Sequence, residues 1–367
     1  MKEKVVREAK VKAFIDKIND DYKGEVIHTG KTRSNMETRR FSSLILSLDL
    51  ALGGGWPFSR IIIDAGEEST GKTLKAIKAC VSVQSYDHNT RKHMDHMDEK
   101  DFVPCRALVI DMEGAWDEDW ATRLGFNHSW HKVAQPEYAE QAIDIVNYAI
   151  RENIFDLIVI DSIAAMIPSK ELEDSAEDWQ MGLQARLVNK AMRKWVGSLN
   201  KLNQTYKGGG PCVYCLNQFR LQIGVVFGDP RVLPSGKAQR FAASIISYTK
   251  AAKVDDGKEK EAEYVTLGGS CKKNKTYTPK LNYEFTMRLK DSESEKTGVV
   301  NNWNLLFEEG KKLKLIRKEG TTVKFGSGEG MITAPNDKMF KDKVRVSQVL
   351  QTRLWRSVIK AKCGVLI

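Results

Sequence analysis

The chain has 367 residues, of which 41% are apolar and 29% charged, and its net charge is +10. This composition excludes a mainly disordered protein, and the length accommodates about two domains. The longest apolar stretch, residues 155–168, is interrupted by Asp156 and Asp161 and is shorter than the roughly 20 apolar residues of a transmembrane helix. The N-terminus is charged where a signal peptide is apolar. We therefore expect a cytoplasmic protein without a membrane partner.

The first predicted element is a short amphipathic helix within residues 1–22. Val6, Ala13 and Ile18 recur there at helical spacing among charged residues. A polar segment follows, so residues 1–40 are interpreted as an N-terminal helix and linker. An isolated helix of this kind is expected to contact either its own body or a neighbouring subunit.

From Ser43 onward, short apolar strands alternate with helices. The predicted strands cover residues 60–65, 106–112, 157–161 and 212–217, and the predicted helices cover 73–86, 138–152 and 181–202. This alternation indicates an α/β fold, a mainly parallel twisted sheet with helices on both faces. Three further strands, over 245–253, 263–267 and 283–289, are predicted to extend the sheet in antiparallel fashion, which completes a core domain at residues 41–290.

The last segment, residues 291–367, is interpreted as a small basic α+β domain at the C-terminus. Residues 299–367 contain 14 Lys and Arg against 6 Asp and Glu, so +8 of the net charge of +10 lies there. Glycines mark turns, and a helix is predicted over residues 346–360. A basic surface of this kind permits a nucleic-acid partner without establishing one.

Residues 66–73 read GEESTGKT and fit the P-loop pattern directly after a predicted strand and before a predicted helix. In such a loop, backbone amides surround phosphate oxygens, the Lys72 ammonium neutralises phosphate charge, and the Thr73 hydroxyl binds Mg²⁺. The residues predicted to contact the nucleotide here are Gly66, Glu67, Glu68, Ser69, Thr70, Gly71, Lys72, Thr73 and Leu74.

Two carboxylates at strand ends complete the predicted triphosphate site. Asp161 ends an apolar strand, as expected of the second Mg²⁺ element, although a buried strand followed by an Asp turn is the alternative. Glu113 follows another strand at the same sheet edge and is a candidate for orienting the attacking water. An ordinary carboxylate at a strand end is the alternative for Glu113.

The order of these motifs resembles the RecA-type recombinases, bacterial or phage-encoded. The matching stretches are residues 47–55 (SLDLALGGG), 66–73, 110–113 (IDME), 160–165 (IDSIAA), 181–186 (MGLQAR), 191–194 (AMRK), 217–220 (NQFR) and 223–230 (IGVVFGDP). They lie in one colinear order between about residue 20 and residue 290. The resemblance implies that Glu113 is the catalytic glutamate, that Gln218 senses the γ-phosphate, and that Asp117 and Trp120 hold the adenine.

Lys273 and Lys275 match a Lys-x-Lys pair that, in this family, reaches the ATP site of the neighbouring subunit in a helical filament. Two cations supplied by a neighbour would stabilise transition-state charge and make hydrolysis depend on assembly. Without the resemblance, an exposed cationic hairpin is the alternative.

Two segments match the DNA-binding loops of the family: residues 168–181, the first DNA loop, and residues 219–236, the second DNA loop. The second contains too many glycines and prolines for regular structure, and its apolar residues would insert between bases while arginines contact phosphates. The alternative is a core strand at 223–227 and a solvated helix face at 193–194. The predicted DNA contacts are Met181, Arg186, Arg193, Arg220, Ile223, Gly224, Val225, Ser235 and Gly236.

Residues 87–104 form an insertion relative to the bacterial pattern. His88, His93, Asp95 and His96 suggest a metal site, but a polar surface loop is the preferred interpretation.

The resemblance implies a DNA-dependent ATPase that forms filaments on single-stranded DNA and catalyses homologous pairing and strand exchange. Its expected cofactors are ATP and Mg²⁺, and its expected partners are single-stranded and duplex DNA, further copies of itself, and loader or single-strand-binding proteins. The expected location is the bacterial cytoplasm, or an infected host cell if the gene is viral. The alternatives are a hexameric helicase motor of the same fold and a mediator that binds ATP without catalysis.

Overall fold

The computed structural model of the chain describes residues 2–21, 38–96, 98–173, 182–206, 209–221, 231–234, 238–254, 262–279, 281–292, 296–327, 330–365 and 367. The chain divides into two compact units, Met1–Thr38 and Arg39–Ile367. The first unit contains the predicted helix, α1 (Lys2–Asp21), and most of the predicted linker lies outside the described residues. The second unit is not divided further, so a domain boundary at residue 290 stays a prediction.

Helices and strands alternate through the second unit. Its helices are α2 (Leu46–Leu52), α3 (Lys72–Val83), α4 (Glu118–Arg123), α5 (Ala139–Glu152), α6 (Ser169–Glu173), α7 (Leu183–Thr205), α8 (Ala238–Ala242), α9 (Trp303–Lys312), α10 (Asp337–Arg345) and α11 (Gln348–Cys363). Its strands are β1 (Arg40–Phe41), β2 (Trp56–Pro57), β3 (Ile61–Gly66), β4 (Ala107–Asp111), β5 (Lys132–Ala134), β6 (Leu157–Asp161), β7 (Cys212–Gln218), β8 (Arg220–Leu221), β9 (Arg231–Val232), β10 (Ile245–Val254), β11 (Tyr264–Asn274), β12 (Asn282–Arg288), β13 (Ile316–Glu319), β14 (Thr322–Phe325) and β15 (Ile332–Ala334).

The main sheet of the described residues has eight strands in the order β12-β11-β10-β3-β7-β6-β4-β5. The six from β10 to β5 run parallel, which confirms the α/β prediction. The prediction for residues 245–253 was wrong in one respect, because β10 pairs parallel with β3 and only β11 and β12 add antiparallel pairs. The long connection between β7 and β10, which includes α8, permits the crossover that parallel pairing requires.

Helices cover both faces of this sheet. The apolar side of α3, including Ile77 and Cys80, packs on one face, and buried residues of α5 and α7, including Val146 and Trp195, pack on the other. Strand β7 is fully buried up to Asn217 because alternate residues face opposite clusters. The carboxyl ends of β3, β4, β6 and β7 therefore meet at one edge of a rigid, two-sided core, and this edge carries the candidate site.

The insertion at residues 87–104 is anchored in the core, so its interpretation as a polar surface loop was wrong in part. Asp87 is 0% exposed and Arg91 is 2% exposed. Asp87 accepts hydrogen bonds from the backbone N–H groups of Thr90 and Val103, at 2.7 and 3.0 Å. Arg91 forms an ion pair with the buried Asp156 carboxylate. Charged residues are buried only when they are paired; Asp87 is satisfied within the insertion, whereas the partner of Arg91 is distant in sequence.

The C-terminal elements form a further apolar cluster. Strands β13, β14 and β15 make a small antiparallel sheet, and helices α9, α10 and α11 bury Phe307, Phe340 and Leu354 against it. The predicted helix over residues 346–360 corresponds to α11. Leu46 of α2 belongs to the same cluster, and the indole nitrogen of Trp355 donates a hydrogen bond of 3.2 Å to Asp49 Oδ2. These contacts join the C-terminal elements to α2.

Candidate nucleotide and DNA site

The P-loop connects β3 to α3 through a tight backbone path. Gly71, directly before α3, has a left-handed backbone with φ 82°, a conformation that glycine adopts without strain. A Cβ atom on Gly66 would lie 1.7 Å from Thr249 Oγ1, so only glycine fits there. Thr70 Oγ1 contacts both the Glu67 carbonyl, at 2.8 Å, and Thr249 Oγ1, at 2.9 Å. The loop is thus shaped by its glycines and held by β10.

Lys72 turns its side chain back into the loop. Its Nζ donates hydrogen bonds to the carbonyl oxygens of Glu67 and Gly66, at 2.5 and 3.3 Å. The residue is 9% exposed, and burial lowers the pKa of its ammonium group. A bound phosphate would supply the counter-charge at the centre of the loop.

A buried network that the sequence analysis missed supports the P-loop from below. Lys75 Nζ lies 2.6 Å from Asp64 Oδ2 and 2.9 Å from the Tyr283 hydroxyl. The Tyr214 hydroxyl donates a further bond of 2.7 Å to Asp64 Oδ2. Burial alone would lower the pKa of Lys75, but the Asp64 carboxylate outweighs this effect and raises it. The network ties α3 to β3, β7 and β12. The one signal of this network in the sequence is that Asp64 is a charged residue within an apolar strand.

The two residues predicted to bind a metal are neighbours. The Thr73 hydroxyl donates a hydrogen bond of 3.0 Å to Asp161 Oδ2. Burial, followed by the nearby Glu113 carboxylate, raises the pKa of Asp161 to about 6. Among the described residues, no group of three or more His, Cys, Asp and Glu side chains is arranged to bind a metal. One hydroxyl and one carboxylate nevertheless fit Mg²⁺, which usually keeps several waters and takes its other ligands from substrate phosphates.

Glu113 lies beside Gln218, a contact that the sequence did not predict. Gln218 Nε2 donates a hydrogen bond of 3.0 Å to Glu113 Oε1, and Ser162 Oγ donates one of 2.6 Å to the same oxygen. Asp111 shapes the turn that carries Glu113, because its carboxylate accepts the backbone N–H groups of Gly114 and Trp116, at 2.9 and 3.2 Å. The sequence analysis assigned no role to Asp111 or Ser162, although both lie within the matching stretches 110–113 and 160–165.

The residues predicted to hold adenine form the start of α4. Asp117 caps this helix by accepting a hydrogen bond of 2.8 Å from the Trp120 backbone N–H. The Trp120 ring is half-buried and packs against the apolar cluster that contains Ile77 and Cys80 of α3, and a Cβ atom on Gly298 would lie 3.1 Å from the ring. The ring therefore has an apolar support on one side.

Lys273 and Lys275 lie at and just beyond the end of β11. The Lys273 ammonium donates to the carbonyl oxygen of Arg240, and Lys275 Nζ donates to that of Phe241 at 3.3 Å. Burial and the neighbouring Lys275 lower the pKa of Lys273 to about 8. Both cations thus lie at the C-terminal end of α8, where helix carbonyls favour positive charge.

The described parts of the DNA loops start at the same sheet edge. Within the first loop, α6 is helical, and Gln184 Nε2 fixes the preceding turn through the carbonyl oxygens of Ala164 and Met166, at 3.1 and 2.8 Å. The second loop was expected to lack regular structure, but β8 and β9 pair at its two ends. Arg186, Arg193 and Arg220 are exposed. The other predicted DNA contacts lie outside the described residues: Met181, Ile223, Gly224, Val225, Ser235 and Gly236.

No helix in the described part of the chain combines the length and the apolar character needed to cross a membrane.

Comparison with known proteins identifies the family. A family model described as the RecA N-terminal domain matches residues 9–290. Protein RecA of Petrotoga mobilis is 34% identical over 311 residues, which cover 83% of this chain and 77% of the relative. Protein RecA of Porphyromonas gingivalis is 34% identical over 322 residues (86% and 84%), and that of Brevibacillus brevis is 30% identical over 359 residues (95% and 90%). The chain therefore belongs to the RecA family of DNA-dependent ATPases that exchange DNA strands.

Proposed function

We propose that this chain hydrolyses ATP while assembled on single-stranded DNA and that it pairs and exchanges homologous strands. One observation carries the proposal: Gln218, the last residue of β7 and the residue directly before the second DNA loop, donates a hydrogen bond of 3.0 Å to Glu113 at the ATP site. A side chain that leaves Glu113 to contact the γ-phosphate would move the base of a DNA loop. The contact therefore provides a direct physical link between nucleotide state and DNA binding.

The ATP site supplies charge and position. Lys72 and the backbone amides of residues 66–73 would hold the phosphates, and Glu113 would orient the attacking water. Thr73 and Asp161 would hold Mg²⁺, which neutralises phosphate charge when it is bound. Asp117 and the ring of Trp120 would hold the adenine. The rigid sheet edge supports all of these groups, which favours the precise alignment that phosphoryl transfer needs.

Self-association would complete the site from a neighbouring subunit. Lys273 and Lys275, at the end of β11, bond to the last carbonyl oxygens of α8, beside the side chain of Phe241, which is 76% exposed. A large exposed aromatic residue next to two cations is typical of a protein interface. In a helical filament, this surface would bring both lysines to the ATP bound by the next subunit.

A mixing experiment tests the trans arrangement. We expect Lys72→Ala to lose ATP binding and Lys273→Ala/Lys275→Ala to lose turnover, while an equimolar mixture recovers part of the single-stranded-DNA-dependent ATPase. Recovery is expected because some interfaces then combine an intact P-loop with intact lysines from the neighbour. Absence of recovery, with filaments of both variants visible by electron microscopy, would contradict the trans role.

DNA contacts would come from two kinds of surface. Single-stranded DNA would bind the DNA loops, which include Arg220 and the predicted contacts outside the described residues, and also Arg186 and Arg193 of α7. The binding would use phosphate contacts and inserted apolar side chains. The basic C-terminal elements would bind duplex DNA. Loader and single-strand-binding proteins are further proposed partners, and the bacterial cytoplasm is the proposed location.

The function itself is tested by ATPase turnover with and without single-stranded DNA, together with strand exchange between a circular single strand and a homologous duplex. We expect DNA to stimulate turnover and Lys72→Ala to abolish exchange. Lys132→Ala, which changes an exposed lysine on β5, is the control and should retain exchange. Exchange by Lys72→Ala at the wild-type level would contradict the site assignment.

Two other outcomes would favour the alternative functions. Closed rings by electron microscopy, with unwinding of duplex DNA, would indicate a hexameric helicase. ATP binding without DNA-stimulated turnover would indicate a mediator.

A further inference from the structure

Ser162 lies in direct contact with the proposed catalytic carboxylate. It follows the last residue of β6, is 1% exposed, and donates a hydrogen bond of 2.6 Å from Oγ to Glu113 Oε1. A hydroxyl that donates to a carboxylate at this distance forms a short, charge-assisted hydrogen bond. Such bonds are among the stronger polar contacts in proteins, so the orientation of Glu113 is well determined.

The backbone makes this contact rigid. Strands β4 and β6 are neighbours, with Asp111 opposite Asp161. The Met112 backbone N–H donates a hydrogen bond of 2.7 Å to the Asp161 carbonyl oxygen, so the pairing extends one residue beyond β4. Ser162 and Glu113 therefore leave adjacent strands at the same edge of the sheet. The Asp111 carboxylate fixes the turn after β4, so neither residue depends on a long loop for its position.

The two donors to Glu113 differ in their freedom to move. Gln218 is half-buried and precedes the second DNA loop, whereas Ser162 is buried beneath the sheet edge. Both bind Oε1, and no donor among the described residues binds Oε2, which can therefore accept a hydrogen bond from a water molecule. When Gln218 turns towards a nucleotide phosphate, Ser162 is the donor that remains.

We propose that Ser162 is a positioning residue for ATP hydrolysis, which holds Glu113 in its catalytic orientation when Gln218 is engaged with the nucleotide. The proposal rests on the proposed function, because it requires Glu113 to orient the attacking water. Loss of the hydroxyl would leave the carboxylate free to rotate, and small misplacements of a catalytic group cost up to about 100-fold in rate. Substrate binding would not change, because Ser162 contacts Glu113 and not the P-loop.

Steady-state ATPase assays on single-stranded DNA test the proposal. We expect Ser162→Ala to lower kcat about 10-fold or more while the KM for ATP and the affinity for single-stranded DNA remain at wild-type values. Ser162→Thr retains the hydroxyl and should recover a large part of kcat. An unchanged kcat in Ser162→Ala, or a raised KM as its main effect, would overturn the proposal.

A double-mutant cycle shows whether Ser162 acts through Glu113. In a Glu113→Gln background, the additional Ser162→Ala change should leave the residual ATPase unchanged, because the carboxylate that Ser162 orients is already absent. The same fold-loss in both backgrounds would overturn the proposal. Failure of the proposed function would appear differently, as an absence of DNA-stimulated ATPase in the wild-type protein. Nucleotide binding by both Ser162 variants shows that they are folded.

Discussion

The guanidinium of Arg356 lies 2.7 Å from the carboxylate of Asp95 and joins α11 to the insertion at residues 87–104. The Arg356 side chain is largely buried, with 17% of its surface exposed, whereas Asp95 is 51% exposed. At its base, the insertion is tied to the core by Asp156, which accepts a hydrogen bond of 2.7 Å from His88 Nδ1 and pairs with Arg91. The insertion therefore connects the sheet core to the C-terminal elements.

The ion pair between Asp95 and Arg356 should contribute measurably to the free energy of unfolding. We expect a double-mutant cycle of Asp95→Ala and Arg356→Ala, followed by urea denaturation, to give a coupling free energy of about 0.5–1 kcal/mol, the upper part of the range for partly exposed pairs. The exposed pair Lys296 and Asp291 is the control, and its coupling should be near zero because water screens both groups. Zero coupling for the first pair would show that the insertion does not hold α11 through this contact.

Replacement by alanine should be harmful at Gly66, where it lowers ATP affinity, and favourable at Gly197, where it raises the free energy of unfolding. Gly66→Ala places a methyl group 1.7 Å from Thr249 Oγ1, so the P-loop must shift and ATP affinity should fall at least 10-fold. Gly197 lies in the middle of α7, and a methyl group there would meet no described atom within 4 Å beyond its own stretch of helix. Gly197→Ala should therefore raise the free energy of unfolding by about 0.5–1 kcal/mol. Nucleotide titration and urea denaturation measure the two effects, and normal ATP affinity in Gly66→Ala would contradict the first.

His131 should make stability depend on pH. Its Nδ1 accepts a hydrogen bond of 3.0 Å from the Ala107 backbone N–H, so that nitrogen carries no proton, and burial lowers the pKa of His131 to about 4. The unfolded chain binds a proton near pH 6.5, so the stabilisation is fully present above that pH and is lost as the pH falls towards 4.

Denaturation of wild type and His131→Gln at several pH values measures this effect. The difference in unfolding free energy between them should grow by roughly 3 kcal/mol from pH 4 to pH 7. A difference that is independent of pH would show that His131 titrates alike in the folded and unfolded chains. His128→Gln, which changes an exposed histidine nearby, is the comparison, and it should reproduce only a small part of the difference, because burial is the main cause of the lowered His131 pKa and His128 is a lesser one.

Binding of duplex DNA should depend on particular lysines of the C-terminal elements. Lys311 and Lys312 already pair with Asp337 and Glu309, at 2.6 and 3.1 Å, so their replacement would disturb the fold. Lys314 and Lys318 are exposed, and we expect Lys314→Ala/Lys318→Ala to weaken duplex binding and to lower its salt slope by about 2.

Binding to single-stranded DNA and filament formation should remain normal in this variant. The control, Lys132→Ala/Arg151→Ala, removes two exposed cations elsewhere and should leave duplex binding unchanged. Loss of single-strand binding in the Lys314/Lys318 variant would show that the primary DNA site had been assigned to the wrong part of the chain.

The sequence alone indicated the main alternation of strands and helices, the P-loop and the edge of the sheet where Asp161, Glu113 and Gln218 lie, but not shorter elements such as α4 and β5. These features are local: a run of apolar residues, a glycine turn or a strand that ends in a polar residue has the same meaning in any α/β context. The parallel pairing of β10 with β3 was not local, because its register depends on the crossover after β7.

Only the tertiary structure decided which polar groups support the site. Asp64 and Lys75 are eleven positions apart but share a buried contact of 2.6 Å, and Ser162 after β6 reaches Glu113 after the adjacent strand β4. Asp95 and Arg356 are 261 positions apart. The sequence around a charged or hydroxyl side chain does not show which residue will be its partner, because the packing of the elements determines which groups meet. Burial then requires that the groups pair.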